Sequence, residues 1–172
     1  RKVRRGKPVW EVRNFSIYKF RTMIHNADPS LHQAYIRTFV RGGATVSATV
    51  AADDAPFKLA DDPRITRLGR FLRATSLDEL PQLLNVVKGE MSLVGPRPVP
   101  VYEVAEYQRW HYERLAALPG ITGLWQVRGR GLVDFDELVR MDISYVRGQS
   151  LWLDLQLLWL TIPAVLSRRG AK

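Results

Sequence analysis

Apolar residues recur at helical spacing over several stretches of this chain, and each stretch predicts an element. "PSLHQAYIRTFV" predicts a helix over 29–40. In "DDPRITRLGRFLRA", Ile65, Leu68, Phe71 and Leu72 form a stripe expected to be buried, with Asp62 as N-cap and Pro63 at the first helical position. "VYEVAEYQRWHYERLAAL" reads as one amphipathic helix ending before Pro119-Gly120, and "DFDELVRMDISYV" as another, with Asp134 and Glu137 in capping-box spacing. The last stretch, "LWLDLQLLWLTIPAVL" after Ser150, is apolar on nearly all sides, with Pro163 expected to kink it. Such a helix is a core element or lies in a membrane interface, and Trp152 and Trp159, seven residues apart, favour the interface.

Strand signals are few. "VWEV" and "FSIYKF" flank Arg13-Asn14 and predict a short β-hairpin, and "PGITGLWQVRGRG" holds an apolar, strand-like core among four glycines. Residues 24–60 form a variable, loop-rich excursion, in which "RGGATVSATVAADDAP" has no core pattern. His25 and His32 read as surface residues, with no second His or acid at metal-ligand spacing. The expected fold class is therefore α+β: a single, mostly helical domain over 1–172, with a small β-hairpin or sheet, long loops and membrane-associated amphipathic helices.

Charge narrows the partners. Lys plus Arg number 26 against 17 Asp plus Glu, a net charge of +9, which implies an anionic partner such as phosphate, nucleic acid or an acidic membrane face. Eight basic residues fall within the first 23 positions against the single acid Glu11, as in a solvated tail or a segment drawn to anionic lipid. The chain has no cysteine, which excludes disulfides, thiolate metal sites and cysteine nucleophiles. No apolar run reaches the roughly 18 residues of a spanning helix, and the chain opens on Arg1, so any membrane span is expected in a part not included here.

P-loop, Gly-x-Gly-x-x-Gly, Gly-x-Ser-x-Gly and His-Glu-x-x-His motifs are absent. The candidate chemistry lies in "TSLDELPQLLNVVKGEMSLVGPRP". One reading is purely structural: Ser76 as N-cap and Glu79 three residues later make a capping box worth about 1 kcal/mol, and Asp78 favours the first helical turn. The other is chemical. The two acids follow Arg64, Arg67, Arg70 and Arg73, spaced every three residues, and precede Arg97, held between Pro96 and Pro98. Stiff arginines suit bidentate phosphate recognition. Two acids would repel that phosphate unless a cation such as Mg²⁺ lies between them, and an aspartate is a competent nucleophile toward phosphorus.

"YKFRTM", "DPRITRLGRFLRATSLDELPQLLNVVKGEMSLVGPRP" and "PGITGLWQVRGR" resemble the bacterial sugar transferases, the monotopic polyprenyl-phosphate phosphoglycosyl transferases. The likeness covers residues 17–23, 61–98 and 118–170. It implies transfer of a sugar-1-phosphate from a UDP-sugar to undecaprenyl phosphate, with release of UMP. This is the first membrane step of exopolysaccharide, capsule or O-antigen assembly, on the cytoplasmic face of the bacterial inner membrane. By resemblance, Asp78 and Glu79 are the catalytic dyad: Asp78 is the nucleophile and a ligand of Mg²⁺, and Glu79 assists proton transfer or orients the site. Lys19, Arg73 and Arg97 match phosphate-holding positions, and Arg130 is a candidate for the nucleotide side. The length of 24–60 suggests the larger, multi-domain branch of the family, with further membrane helices upstream. The alternatives are a non-catalytic membrane-surface scaffolding module and a nucleic-acid binder; no nucleic-acid motif supports the latter, so nucleic acid is not an expected partner. A homo-oligomer stays open, and no residue reads out which sugar is moved.

Overall fold

The computed structural model describes residues 2–4, 7–9, 11–41, 62–128 and 133–166. In chain order the regular elements are β1 (Lys2–Arg4), β2 (Lys7–Val9), α1 (Ser30–Val40), α2 (Arg67–Ala74), a 3-10 turn Leu77–Gln82, α3 (Leu83–Val87), β3 (Ser92–Val94), α4 (Val101–Val104), a 3-10 segment Arg109–Ala116, β4 (Gly120–Thr122), α5 (Leu124–Arg128), α6 (Phe135–Arg147) and α7 (Leu151–Leu166). The α+β class is borne out: helices dominate, with an antiparallel hairpin β1–β2 and a parallel pair β3–β4.

Helix α6 organises the larger core. Its residues Phe135, Leu138, Val139 and Ile143 are buried against Tyr35, Ile36 and Val40 of α1 and Trp125 of α5. Asp134 caps it as its position predicts, the carboxylate accepting from Glu137 N at 2.7 Å. A second cluster joins Val94 of β3, Tyr145 of α6 and Leu157 of α7. The β3–β4 pair brings the backbones very close, because a Cβ on Gly120 would collide with the Gly95 amide nitrogen.

Several expected elements are placed differently. The hairpin lies earlier than Arg13-Asn14, pairing Lys2 with Val9 and Arg4 with Lys7. Residues 15–24 are instead an extended strap whose hydrogen bonds go to the segment 64–85. Tyr18 N donates to Asn85 Oδ1 (3.1 Å), Phe20 N to Asp78 O (3.0 Å) and Ile24 N to Arg64 O (2.8 Å). With these donors already engaged, no partner strand is needed. Helix α2 begins at Arg67 with Thr66 as its N-cap, accepting from Gly69 N at 2.9 Å. Asp62 is taken up by Arg64, whose Nη2 lies 2.7 Å from it. Of the stripe expected to be buried, Leu68 and Phe71 face outward (65% and 57% exposed), while Ile65 and Leu72 are partly buried. The helix rests on Gly69, where any Cβ would strike the Thr22 carbonyl.

The single helix expected over 101–118 is broken in two. Gln108 is extended and its amide donates to His111 Nδ1 at 3.1 Å, restarting the chain as a 3-10 segment. The break lets Glu103, Tyr107 and Asp142 of α6 converge on Arg114. His32 is half-buried and bonded to the Tyr102 hydroxyl at 2.6 Å, whereas His25 is exposed as expected. Of the excursion over 24–60, residues 42–60 lie outside the described residues, and 24–41 carry α1. Helix α7 includes Pro163, and Ser150 Oγ accepts from Leu153 N at its start (3.2 Å). Trp152 and Trp159 are 68% and 72% exposed. No helix among the described residues is long and apolar enough to cross a membrane.

Candidate active site

The acidic pair sits where the chain reverses after α2. Ser76 holds a left-handed conformation (φ 57°, ψ 15°) and its side chain caps nothing, so the expected capping box is absent. A serine there costs on the order of 1 kcal/mol in backbone strain, and it terminates α2, donating its amide to Arg73 O (3.1 Å) as a left-handed C-cap residue does. The Ser76 carbonyl then accepts from Glu79 N at 3.2 Å, opening the 3-10 turn that carries both acids. Pro81 is accommodated within that turn.

Asp78 and Glu79 meet different surroundings. Asp78 is buried, and its carboxyl titrates above the usual aspartate range, first because of burial and second because of the neighbouring Glu79 charge; Lys19 and Arg73 oppose the rise. Glu79 Oε1 lies 2.8 Å from Lys19 Nζ and 3.7 Å from Arg97 Nη2. Arg73 is half-buried and donates from Nε to the Thr22 hydroxyl (2.9 Å); burial lowers its pKa, and the Asp78 charge partly restores it. Three cations thus surround two acids, a local surplus suited to an anion.

Beside this cluster, Lys19, Glu79, Gln82, Arg97 and Gln126 line a small cleft of about 40 Å³. Asp78 is not part of its wall.

Of the residues singled out from sequence, Lys19, Arg73, Asp78, Glu79 and Arg97 come together here. Arg130 lies outside the described residues. The three-residue arginine repeat does not form one stripe. Arg64 is engaged by Asp62 and the Asp28 carbonyl, and Arg67 and Arg70 are exposed, so only Arg73 serves the acids.

A divalent cation has limited protein donors. Among the described residues no group of three His, Cys, Asp or Glu side chains could hold a metal. The adjacent carboxylates fit Mg²⁺ in the form it commonly takes, one or two carboxylates completed by substrate phosphates. They do not fit an all-protein metal cage.

Sequence reasoning missed the polar framework behind the site. Asn85 is fully buried; its carboxamide accepts from Tyr18 N and donates to Ser16 O (2.8 Å) and Glu90 Oε2 (2.7 Å), fastening the strap that carries Lys19. Thr22 and Gln82 are likewise buried. The available signal was Gln82 and Asn85 three apart in an otherwise apolar run, on one helical face.

A family model described as "Bacterial sugar transferase" matches residues 1–168. The chain is 44% identical over 161 residues to "Galactosyl transferase CpsE" of Streptococcus agalactiae, covering 93% of this chain and 33% of that protein. It is 47% identical over 157 residues to "Undecaprenyl-phosphate galactose phosphotransferase" of Salmonella typhimurium (91% and 31%). It is 49% identical over 118 residues to "UDP-glucose:undecaprenyl-phosphate glucose-1-phosphate transferase" of Caulobacter vibrioides (64% and 44%). The chain spans about a third of the length of the first two relatives.

Proposed function

Since this chain belongs to the bacterial sugar transferase family, we propose that it transfers a sugar-1-phosphate from a UDP-sugar to undecaprenyl phosphate through a covalent intermediate on Asp78. The observation that carries the reading is the asymmetry of the acidic pair. Asp78 is buried with a raised pKa and no salt-bridge partner within 4 Å among the described residues, while Glu79 is tied to Lys19 and Arg97. A carboxylate without a tight counter-ion keeps its nucleophilicity; one clamped by two cations is suited to holding them in place.

In the first step an Asp78 carboxylate oxygen attacks the phosphorus that bears the sugar. The bond to the bridging oxygen breaks, and the electron pair leaves with UMP. In the second, a phosphate oxygen of undecaprenyl phosphate attacks the same phosphorus and frees Asp78. Glu79, paired with Lys19 and Arg97, acts by orienting them. Phosphoryl transfer depends mainly on positioning and charge neutralisation, which Lys19, Arg73 and Arg97 supply. Mg²⁺, held by Asp78 and the diphosphate, would add charge neutralisation when bound.

The lipid acceptor requires a membrane-facing site. Leu68 and Phe71 of α2, Leu80, Leu84 and Val87 after the acids, and Trp152 and Trp159 of α7 are all exposed. With the basic N-terminal sequence, they suit a domain lying on the cytoplasmic face of an anionic membrane. The test is incubation of the full-length protein with Mg²⁺, radiolabelled UDP-sugar and undecaprenyl phosphate. Lipid-linked product lost in Asp78→Ala is expected; undiminished product in that variant would sink the nucleophile assignment.

A further inference from the structure

The cleft contains a polar side chain that the proposed chemistry leaves unused. Gln82 closes the 3-10 turn three residues after Glu79 and lines the cleft with Lys19, Glu79 and Arg97. The residue as a whole is only 2% exposed, but its carboxamide atoms keep contact with solvent and make no hydrogen bond with another described residue. Asn85, three residues on, shows the contrast: equally buried, it has both ends of its carboxamide satisfied by the strap and Glu90. A carboxamide that opens onto a cleft and has no protein partner is free to bond a group that enters the cleft.

The cleft also sorts ligand groups by chemistry. Lys19 and Arg97 are cations suited to charged phosphate oxygens. A carboxamide is neutral, with an acceptor oxygen and two N–H donors, and it matches a neutral group that both donates and accepts. A sugar hydroxyl and a pyrimidine imide both have that character.

We infer that Gln82 is a specificity-determining residue that hydrogen-bonds a neutral donor–acceptor group of the nucleotide-sugar, next to its phosphates. The inference rests on the transferase reading. Sites built to hydrogen-bond such a group reject analogues lacking it far better than apolar pockets discriminate by shape.

The test compares full-length wild type with Gln82→Met, measuring dissociation constants for UDP-glucose, UDP-galactose and UMP together with unfolding temperature in the absence of ligand. Binding of at least one UDP-sugar weakens roughly 3- to 10-fold, while the unfolding temperature holds or rises, since an unpaired carboxamide contributes nothing to the fold. Weakening of the UDP-sugar alone assigns the contact to sugar hydroxyls; parallel weakening of UMP assigns it to the nucleotide. Unchanged binding of all three overturns the inference, as does a lowered unfolding temperature with unchanged binding, which would make Gln82 structural. Because binding is read without turnover, failure of the transferase reading shows separately, as absence of lipid-linked product from the wild type.

Discussion

Two clusters of basic residues and carboxylates in this molecule use the same chemical groups to opposite ends. Under α6, Arg114 is buried with its Nη2 2.5 Å from Asp142 and its Nη1 2.8 Å from the Tyr107 hydroxyl and 3.4 Å from Glu103. One cation faces two acids and a phenol, closed from solvent. At the acidic turn three cations face two acids, and the Lys19 and Arg97 side chains remain 37% and 41% exposed. The closed cluster has no capacity for a ligand and serves to hold α4, the 3-10 segment and α6 together. The open one retains positive charge that only an incoming anion can use. Surroundings, not residue identity, separate a structural charge network from a candidate site.

The contrast can be broken with one substitution in each cluster. Arg114→Leu leaves Asp142 and Glu103 buried without their cation and should destabilise the fold by about 3–5 kcal/mol, read by denaturant unfolding. Arg97→Leu removes a long, half-exposed pair and should cost the fold less than about 1 kcal/mol, while lowering kcat/KM by on the order of 10²–10³, as expected for a lost anion-stabilising donor. The reverse pattern, with Arg97 governing stability and Arg114 governing rate, would dissolve the distinction.

A smaller effect sharpens the comparison through pH. Asp78 must be ionised to attack, and burial and then Glu79 raise its pKa, so activity is lost on acidification at a higher pH than an ordinary aspartate would give. Glu79→Gln removes the second cause and should move the acidic limb of the kcat/KM profile downward by less than about one unit, besides lowering the rate by loosening Lys19 and Arg97. The sign for stability is the opposite: a raised carboxyl pKa means that folding stability falls as pH rises through it.

Legibility from sequence followed how locally each feature is determined. Helix α6 was readable because Phe135, Leu138, Val139 and Ile143 repeat at helical spacing behind the Asp134 cap. Asp142 stands seven residues after Phe135, on that same buried face, and went unnoticed because only apolar positions were used to trace it. For α2 the amphipathic pattern was real but only half of it faces inward: the close packing contact is Gly69 on the Thr22 backbone, and Leu68 and Phe71 point outward. Periodicity alone does not say whether an apolar face meets the core or a membrane. The capping box failed because the chain reversal demands a left-handed Ser76, a tertiary requirement that overrides local capping preference. The meeting of Lys19, Arg73, Arg97 and the acids was anticipated through family resemblance, whereas the buried Asn85 that fastens the Lys19 strap left only a faint trace in the pattern.

The central claim, a covalent intermediate on Asp78, is tested most directly by isotope exchange without acceptor. Full-length protein is incubated with Mg²⁺, UDP-sugar and radiolabelled UMP, with no polyprenyl phosphate present. A two-step path through the enzyme predicts that label enters UDP-sugar in the wild type and that Asp78→Asn abolishes the exchange. Exchange that persists in Asp78→Asn, or that appears in the wild type only once undecaprenyl phosphate is added, would contradict the account.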